Sequence, residues 1–402
     1  MERSLYEAYL EILHAELVPA MGCTEPIAIA LTAAKAKSYL DEPVKSVSIC
    51  VSGNIIKNVK SVKVPNTGGL RGIEAAAAAG LVAGKPENEL ELLAGITEDE
   101  QSAIAEFIKN IPMTVTEADT KQVLDIGITL HSENHTVYAR TVESHTGLCL
   151  IEVDGEVVFK RELNENGEAT ENSPLSIEGI IDFADNADLD DVKELLDRQI
   201  AYNTEIAEEG LTGRYGAAIG RTLLMSYGNN VHNRAKAWAA AGSDARMSGC
   251  EMPVVINSGS GNQGLTTSLP VIVYAKELGV SKELLYRALL VANLTTIHLK
   301  SGIGCLSAYC GAISAGCGAG AGVMYLHGGK FEEISHTVVN ALAINSGVVC
   351  DGAKASCAAK IASAVESGLL GMQMYMHGKE FYGGDGIVAR DVESTIRNVG
   401  QL

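Results

Sequence analysis

The chain has 402 residues, 47% of them apolar, and a formal net charge of −19. That length and apolar share allow a sizeable core and exclude a disordered chain. The acidic balance, with no run of Lys or Arg to offset it, argues against binding to a phosphate backbone.

The first residues, MERSLYEAYLEILHAEL, mix charged and apolar positions and do not read as a signal peptide. Leu5, Tyr9, Ile12, Leu13 and Leu17 fall at helical spacing, which predicts a helix over 4–17 ended by Pro19. VPAMGCTEPIA follows, then an Ala-rich helix to about Tyr39 with Thr24 as its cap and Pro26 in its first turn. Cys23 therefore sits at the mouth of a helix, where the dipole and free N–H groups favour a thiolate.

Alternation at Val47, Ile49 and Val51, a turn at Gly53-Asn54 and alternation at Val62 and Val64 predict a hairpin. Helices are expected over Ile73–Ala83 and from about Glu98 to Lys109 with Thr97 as cap. Strands return over 112–162, where Asp154-Gly155 is a two-residue hairpin signal. From Pro174 the pattern is helical almost throughout. The fold class expected is α+β: a mostly helical domain (residues 1–42 and 174–402), an inserted α/β-sheet domain (43–162) and a polar linker (163–173).

Five of the nine cysteines fall in two stretches: Cys305, Cys310 and Cys317, then Cys350 and Cys357. Nine is an odd number and suits a reducing cytoplasm better than a disulfide framework. The first stretch lies in a charge-free segment, Ile303–Leu326, rich in Gly and Ala. It is long enough to span a membrane, but it lacks an aromatic belt, and a fully buried helix or helix pair is the expected form. Small side chains let backbones approach one another or a bulky inorganic group. No Cys-x2-Cys occurs, so the ferredoxin run and the common zinc knuckles are absent. Residues seven apart on one helix lie ~10 Å apart, so Cys350 and Cys357 can share a cluster only if the backbone bends, and Asp351-Gly352 supplies a break. Buried core thiols are the alternative for each cysteine.

Asn257–Gly264, NSGSGNQG, satisfies the dinucleotide fingerprint in its glycines but lacks the second strand and its acid. An anion-binding nest is the better reading, with Ser258, Ser260 and Asn262 around a carboxylate. Pro65–Gly72, with Asn66, Thr67 and Gly68, is a second loop of that kind, or a plain turn. His327, just past the glycine-rich segment, is a candidate substrate contact or a satisfied core histidine. No Ser/His/Asp order, Walker loop or His-Glu-x-x-His motif appears.

PAMGCTEP (19–26), the PNTGG loop, the GSGNQG loop and Cys310…Cys350-x6-Cys357 together resemble L-cysteine desulfidase. They also resemble the wider group related to the alpha chain of bacterial iron–sulfur L-serine dehydratase. The resemblance runs over nearly the whole chain. It implies a [4Fe–4S] cluster held by Cys310, Cys350 and Cys357, no pyridoxal phosphate, and Cys23 as catalytic base. Cys305 and Cys317 lie outside that pattern. The implied reaction is β-elimination on a small L-amino acid, foremost L-cysteine to pyruvate, ammonia and hydrogen sulfide. L-serine dehydration, or a non-catalytic iron–sulfur redox sensor, are the alternatives. A small amino acid is the expected partner, with no nucleic acid or membrane and a homo-oligomer left open.

Overall fold

The computed structural model describes residues 1–163, 173–304 and 307–401. Cys305 and most of the expected linker lie outside them. The chain opens with α1 (Arg3–Glu16), β1 (Pro19–Met21) and α2 (Thr24–Lys37), then β2 (Ser46–Val51). The predicted hairpin after β2 does not form. Gly53–Val59 is instead a helix, α3, because Ile55 and Val59 bury one turn apart on the same face. Next come α4 (Ile73–Ala83) and α5 (Glu98–Asn110). At the start of α5 Thr97 and Glu100 form a reciprocal capping box.

Strands β3 (Met113–Glu117), β4 (Asp125–His131), β5 (Thr136–Val142), β6 (Leu148–Val153) and β7 (Glu156–Lys160) complete a sheet of order β3-β2-β4-β5-β6-β7. Only β2 and β3 run parallel. Asp154 and Gly155 turn the β6–β7 hairpin with φ of 52° and 83°, as its two-residue signal predicts. Helices α2 and α4 pack on each other, and α2 lies against β4 and β5. There the Thr32 and Thr141 hydroxyls meet at 2.8 Å.

The rest is helical: α6 (Ile177–Asn186), α7 (Lys193–Thr212), α8 (Ile219–Tyr227), α9 (Val231–Met247), then the short β8 (Pro253–Val255), α10 (Gly261–Leu278), α11 (Lys282–Ile303), α12 (Ala312–Leu326), α13 (Phe331–Ile344), α14 (Cys357–Met376) and α15 (Val392–Gly400). The architecture is α+β, as the pattern of elements predicts. Helix α12 is the centre of this half, packed by α10, α11, α13 and α14 with all 15 of its residues buried. Most of its glycines serve helix packing. A Cβ on Gly320 would stand 2.6 Å from the Gly368 carbonyl oxygen of α14, so the two backbones cross in contact. Among the described residues no helix is long and apolar enough to cross a membrane.

The two halves are joined by a two-stranded ribbon. Strand β1 pairs antiparallel with β8, Ala20 opposite Val254, and the Ile256 N–H donates to the Val18 carbonyl. The ribbon brings together the chain before α2 and the chain before α10.

Candidate active site

Residue 23 ends the turn that leaves β1. Cys23, not Thr24, is the N-cap of α2, and its thiol makes no capping bond. The Thr24 hydroxyl instead donates to the Gly259 carbonyl at 2.9 Å, tying the head of α2 to the loop before α10. That loop is a two-residue turn. Asn257 and Ser260 exchange backbone hydrogen bonds, and Ser258 and Gly259 between them take φ of 49° and 75°. A serine at positive φ is uncommon and held by its surroundings. Its hydroxyl donates to Asn257 Oδ1. Ser260 caps α10 by position only, which leaves its hydroxyl to the cavity.

A second pairing assembles the cysteines. Cys310 N–H donates to Val348 O at 2.8 Å and Cys350 N–H to Ala308 O at 2.7 Å, around a bridge between Tyr309 and Val349. Cys310 thus stands just before α12 and beside Cys350. The chain then bends at Gly352 (φ 100°), and Cys357 opens α14 with its thiol 3.7 Å from the Gly352 carbonyl. The bend expected between Cys350 and Cys357 is therefore present.

Cys23, Cys310, Cys350, Cys357, Ser258, Ser260 and Asn262 all line one cavity of about 110 Å³. Pockets for drug-sized ligands hold roughly 300–1,000 Å³, so the space suits a small molecule and not a dinucleotide. The starts of α2, α10, α12 and α14 all reach it. Four positive dipole ends facing one space make it receptive to negative charge.

Cys310 and Cys350 are in direct thiol–thiol contact. The Cys310 S–H donates, which holds the Cys350 thiol well below its ordinary range and raises Cys310. Cys23 departs from expectation. Burial pushes its thiol up to about 12, against the pull of Arg246. Desolvation outweighs the helix terminus here, because a thiolate at a 3% exposed position has lost its water.

The donor set fits an iron–sulfur cluster. Three thiols from two helix starts and one turn share a wall, and the Cys310–Cys350 contact already favours one thiolate. No three of the described His, Cys, Asp or Glu side chains converge on a single-ion centre as a zinc site requires. A cluster offers each thiolate a different iron and makes no such demand. Cys317 is buried inside α12, away from the cavity, and burial pushes its thiol up to about 12.

Other candidates lie elsewhere. Asn66, Thr67 and Gly68 line a separate cavity with Lys63 and Ser248. Asn66 Nδ2 donates to the Leu93 carbonyl at 2.7 Å and Thr67 Oγ1 to the Val64 carbonyl at 2.8 Å, so both side chains are engaged in holding the turn. This is the plain-turn alternative. His327 caps the far end of α12, about 22 Å along a 15-residue helix from the cavity, edge-on to Tyr274. Of the other histidines of the helical half, His232 and His298 pair with Glu366 and Glu393.

The cavity also holds residues that sequence reasoning missed. Glu25, inside the quoted GCTEP stretch, accepts from Asn58 Nδ2 at 3.1 Å. His145, in the β5–β6 loop, places its ring against Gly259, and burial lowers its pKa. Its Nε2 is buried with no partner among the described residues. Arg246 reaches in from α9. Neither His145 nor Arg246 stood out in the sequence, Arg246 sharing its helix with Arg234 and Lys236.

Residues 87–402 match the family described as serine dehydratase alpha chain. The chain is 56% identical over 406 residues to the UPF0597 protein DSY1109 of Desulfitobacterium hafniense, covering 100% of this chain and 94% of that protein. It is 49% identical over 399 residues to a UPF0597 protein of Lachnoclostridium phytofermentans (99% and 96% covered). With the UPF0597 protein FN1147 of Fusobacterium nucleatum it shares 44% over 406 residues (98% and 95% covered). Cys310, Cys350, Cys357 and the 257–264 loop fall within the family match; Cys23 and Glu25 precede it.

Proposed function

Because the chain belongs to the serine dehydratase alpha chain family, we propose that it is a lyase acting on a small L-amino acid, with L-cysteine as substrate and L-serine as the alternative. The observation that carries this reading is the meeting of Cys23, Cys310, Cys350 and Cys357 on one cavity from three distant stretches of chain. Cys310, Cys350 and Cys357 would hold a [4Fe–4S] cluster. Bound there with three thiolates, it would supply a Lewis acid for the β-substituent.

The chain's own groups do the rest. Ser258, Ser260 and Asn262 at the start of α10 orient the substrate carboxylate. A base takes the α-proton, the electron pair forms the Cα=Cβ bond, and the β-sulfur leaves with a proton as hydrogen sulfide. The resulting enamine tautomerises and takes up water to give pyruvate and ammonia. Cys23 is the base the family resemblance implies. As the cavity stands it holds its own proton, and Arg246 pulls it toward the thiolate. One observation favours His145 instead: its Nε2 is buried with no partner among the described residues, and burial lowers its pKa.

Protein reconstituted anaerobically with iron and sulfide is expected to release pyruvate and sulfide from L-cysteine. Absence of pyruvate from both L-cysteine and L-serine would defeat the reading. The base is identified by α-proton exchange in deuterated water. Cys23→Ser abolishes exchange if Cys23 is the base; His145→Gln abolishes it while Cys23→Ser does not if His145 is.

A further inference from the structure

Arg246 is 4% exposed, deep in the wall of the cavity. Among the described residues its one hydrogen bond goes from Nη1 to Asn262 Oδ1 at 3.1 Å. Its Nε is buried with no acceptor, and no carboxylate among the described residues pairs with it. A buried cation without a counter-charge is destabilising.

The position compounds this. Gly261 is the first residue of α10, and a Cβ there would meet Arg246 Nε at 2.4 Å and Cζ at 2.8 Å. The guanidinium therefore lies against a helix N-terminus, where the dipole presents charge of its own sign. Two positive sources share one buried spot, and an anion is what the spot lacks. Cys23, His145 and the start of α10 line the same cavity beside Arg246, and its charge bears on both Cys23 and His145.

We propose that Arg246 and the start of α10 form the subsite for the substrate's carboxylate, so that the site selects carboxylate-bearing ligands and rejects the matching amines. A guanidinium offers two parallel N–H donors to two carboxylate oxygens, a geometry neither a lysine nor a serine hydroxyl supplies. Asn262 positions it: its amide oxygen occupies Nη1 and leaves Nε open. This rests on the lyase reading for the substrate's identity, but the carboxylate preference itself does not need turnover.

The test is anaerobic titration calorimetry with L-cysteine, 3-mercaptopropionate (no amine) and cysteamine (no carboxylate). The wild-type protein is expected to bind the first two and not the third. Arg246→Gln should weaken both carboxylate ligands by about 10-fold or more, the loss of a charge-assisted hydrogen bond, with Arg246→Lys intermediate. Asn262→Asp places a carboxylate on Nη1 and should have the same selective effect with the arginine intact. It decides alone if Arg246→Gln does not fold. Unchanged discrimination in both variants overturns the proposal. So does an Arg246→Gln protein that loses iron–sulfur absorbance while its ligand affinities stay put, since the guanidinium would then balance the thiolates. If L-cysteine binds through Arg246 yet neither L-cysteine nor L-serine turns over, the lyase reading fails and the subsite stands. Turnover with unaltered discrimination gives the reverse.

Discussion

Cys310 and Cys317 lie seven residues apart, both beside or within α12, yet only Cys310 faces the cavity. Cys310→Ala, Cys350→Ala and Cys357→Ala are each expected to abolish the broad visible absorbance of reconstituted protein and its turnover. Cys317→Ala should keep both and lose only some packing, on the order of 1 kcal/mol. A colourless Cys317→Ala would move the ligand set. Asn66 makes the opposite contrast. Its amide holds the Leu93 carbonyl in a buried turn, so Asn66→Ala should lower the melting temperature through a lost buried hydrogen bond, about 1–3 kcal/mol. Its KM should be unchanged; a raised KM with unaltered stability would return that loop to the substrate.

Helices α12 and α14 meet backbone to backbone at Gly320 and Gly368. Gly320→Val has no room to move into, since the obstacle is a carbonyl and not a flexible side chain. It should be destabilising by about 3 kcal/mol or more, read as a shift in denaturation midpoint. Because α12 and α14 also present Cys310 and Cys357, cluster loading should fall with it. A second tie clamps α9 to α14. Glu366 accepts from His232 at 2.9 Å and pairs with Lys236. The His232 hydrogen bond first, and Lys236 second, hold its carboxyl down at about 2. A depressed carboxylate contributes stability that is complete above its unfolded value near 4.5 and is lost as pH falls toward 2. Wild-type stability should therefore decline across that window, and Glu366→Gln should flatten the decline. Parallel curves for the two proteins would rule the clamp out.

At the scale of the molecule, the sheet half and the helical half close on one cavity. Cys23 and His145 come from one side, the 257–264 loop and the ligand cysteines from the other. Stability should be graded accordingly. The amides of α12, buried on every side, should exchange only through global opening, whereas β7, with all five side chains exposed at a sheet edge, should exchange early. Fast exchange within α12 would contradict its place as the central helix.

Local patterns determined much of this protein. Helix periods, the Thr97 cap and the Asp154-Gly155 turn act within a few residues, and they read correctly. So did the break at Gly352, because two thiols seven apart on a straight helix cannot meet. What local reading missed was settled by contacts across the chain. Gly53-Asn54 has turn chemistry, but burial of Ile55 and Val59 makes a helix of it. Cys23 has a thiolate's position by sequence, but the desolvation that raises it is a property of the assembled cavity. PNTGG and GSGNQG look alike as loops; the β1–β8 ribbon carries one to the cavity and leaves the other outside. Arg246 and His145 became legible only in three dimensions, since a buried cation without a counter-charge and an imidazole nitrogen without a partner are facts about surroundings and not about neighbours in sequence.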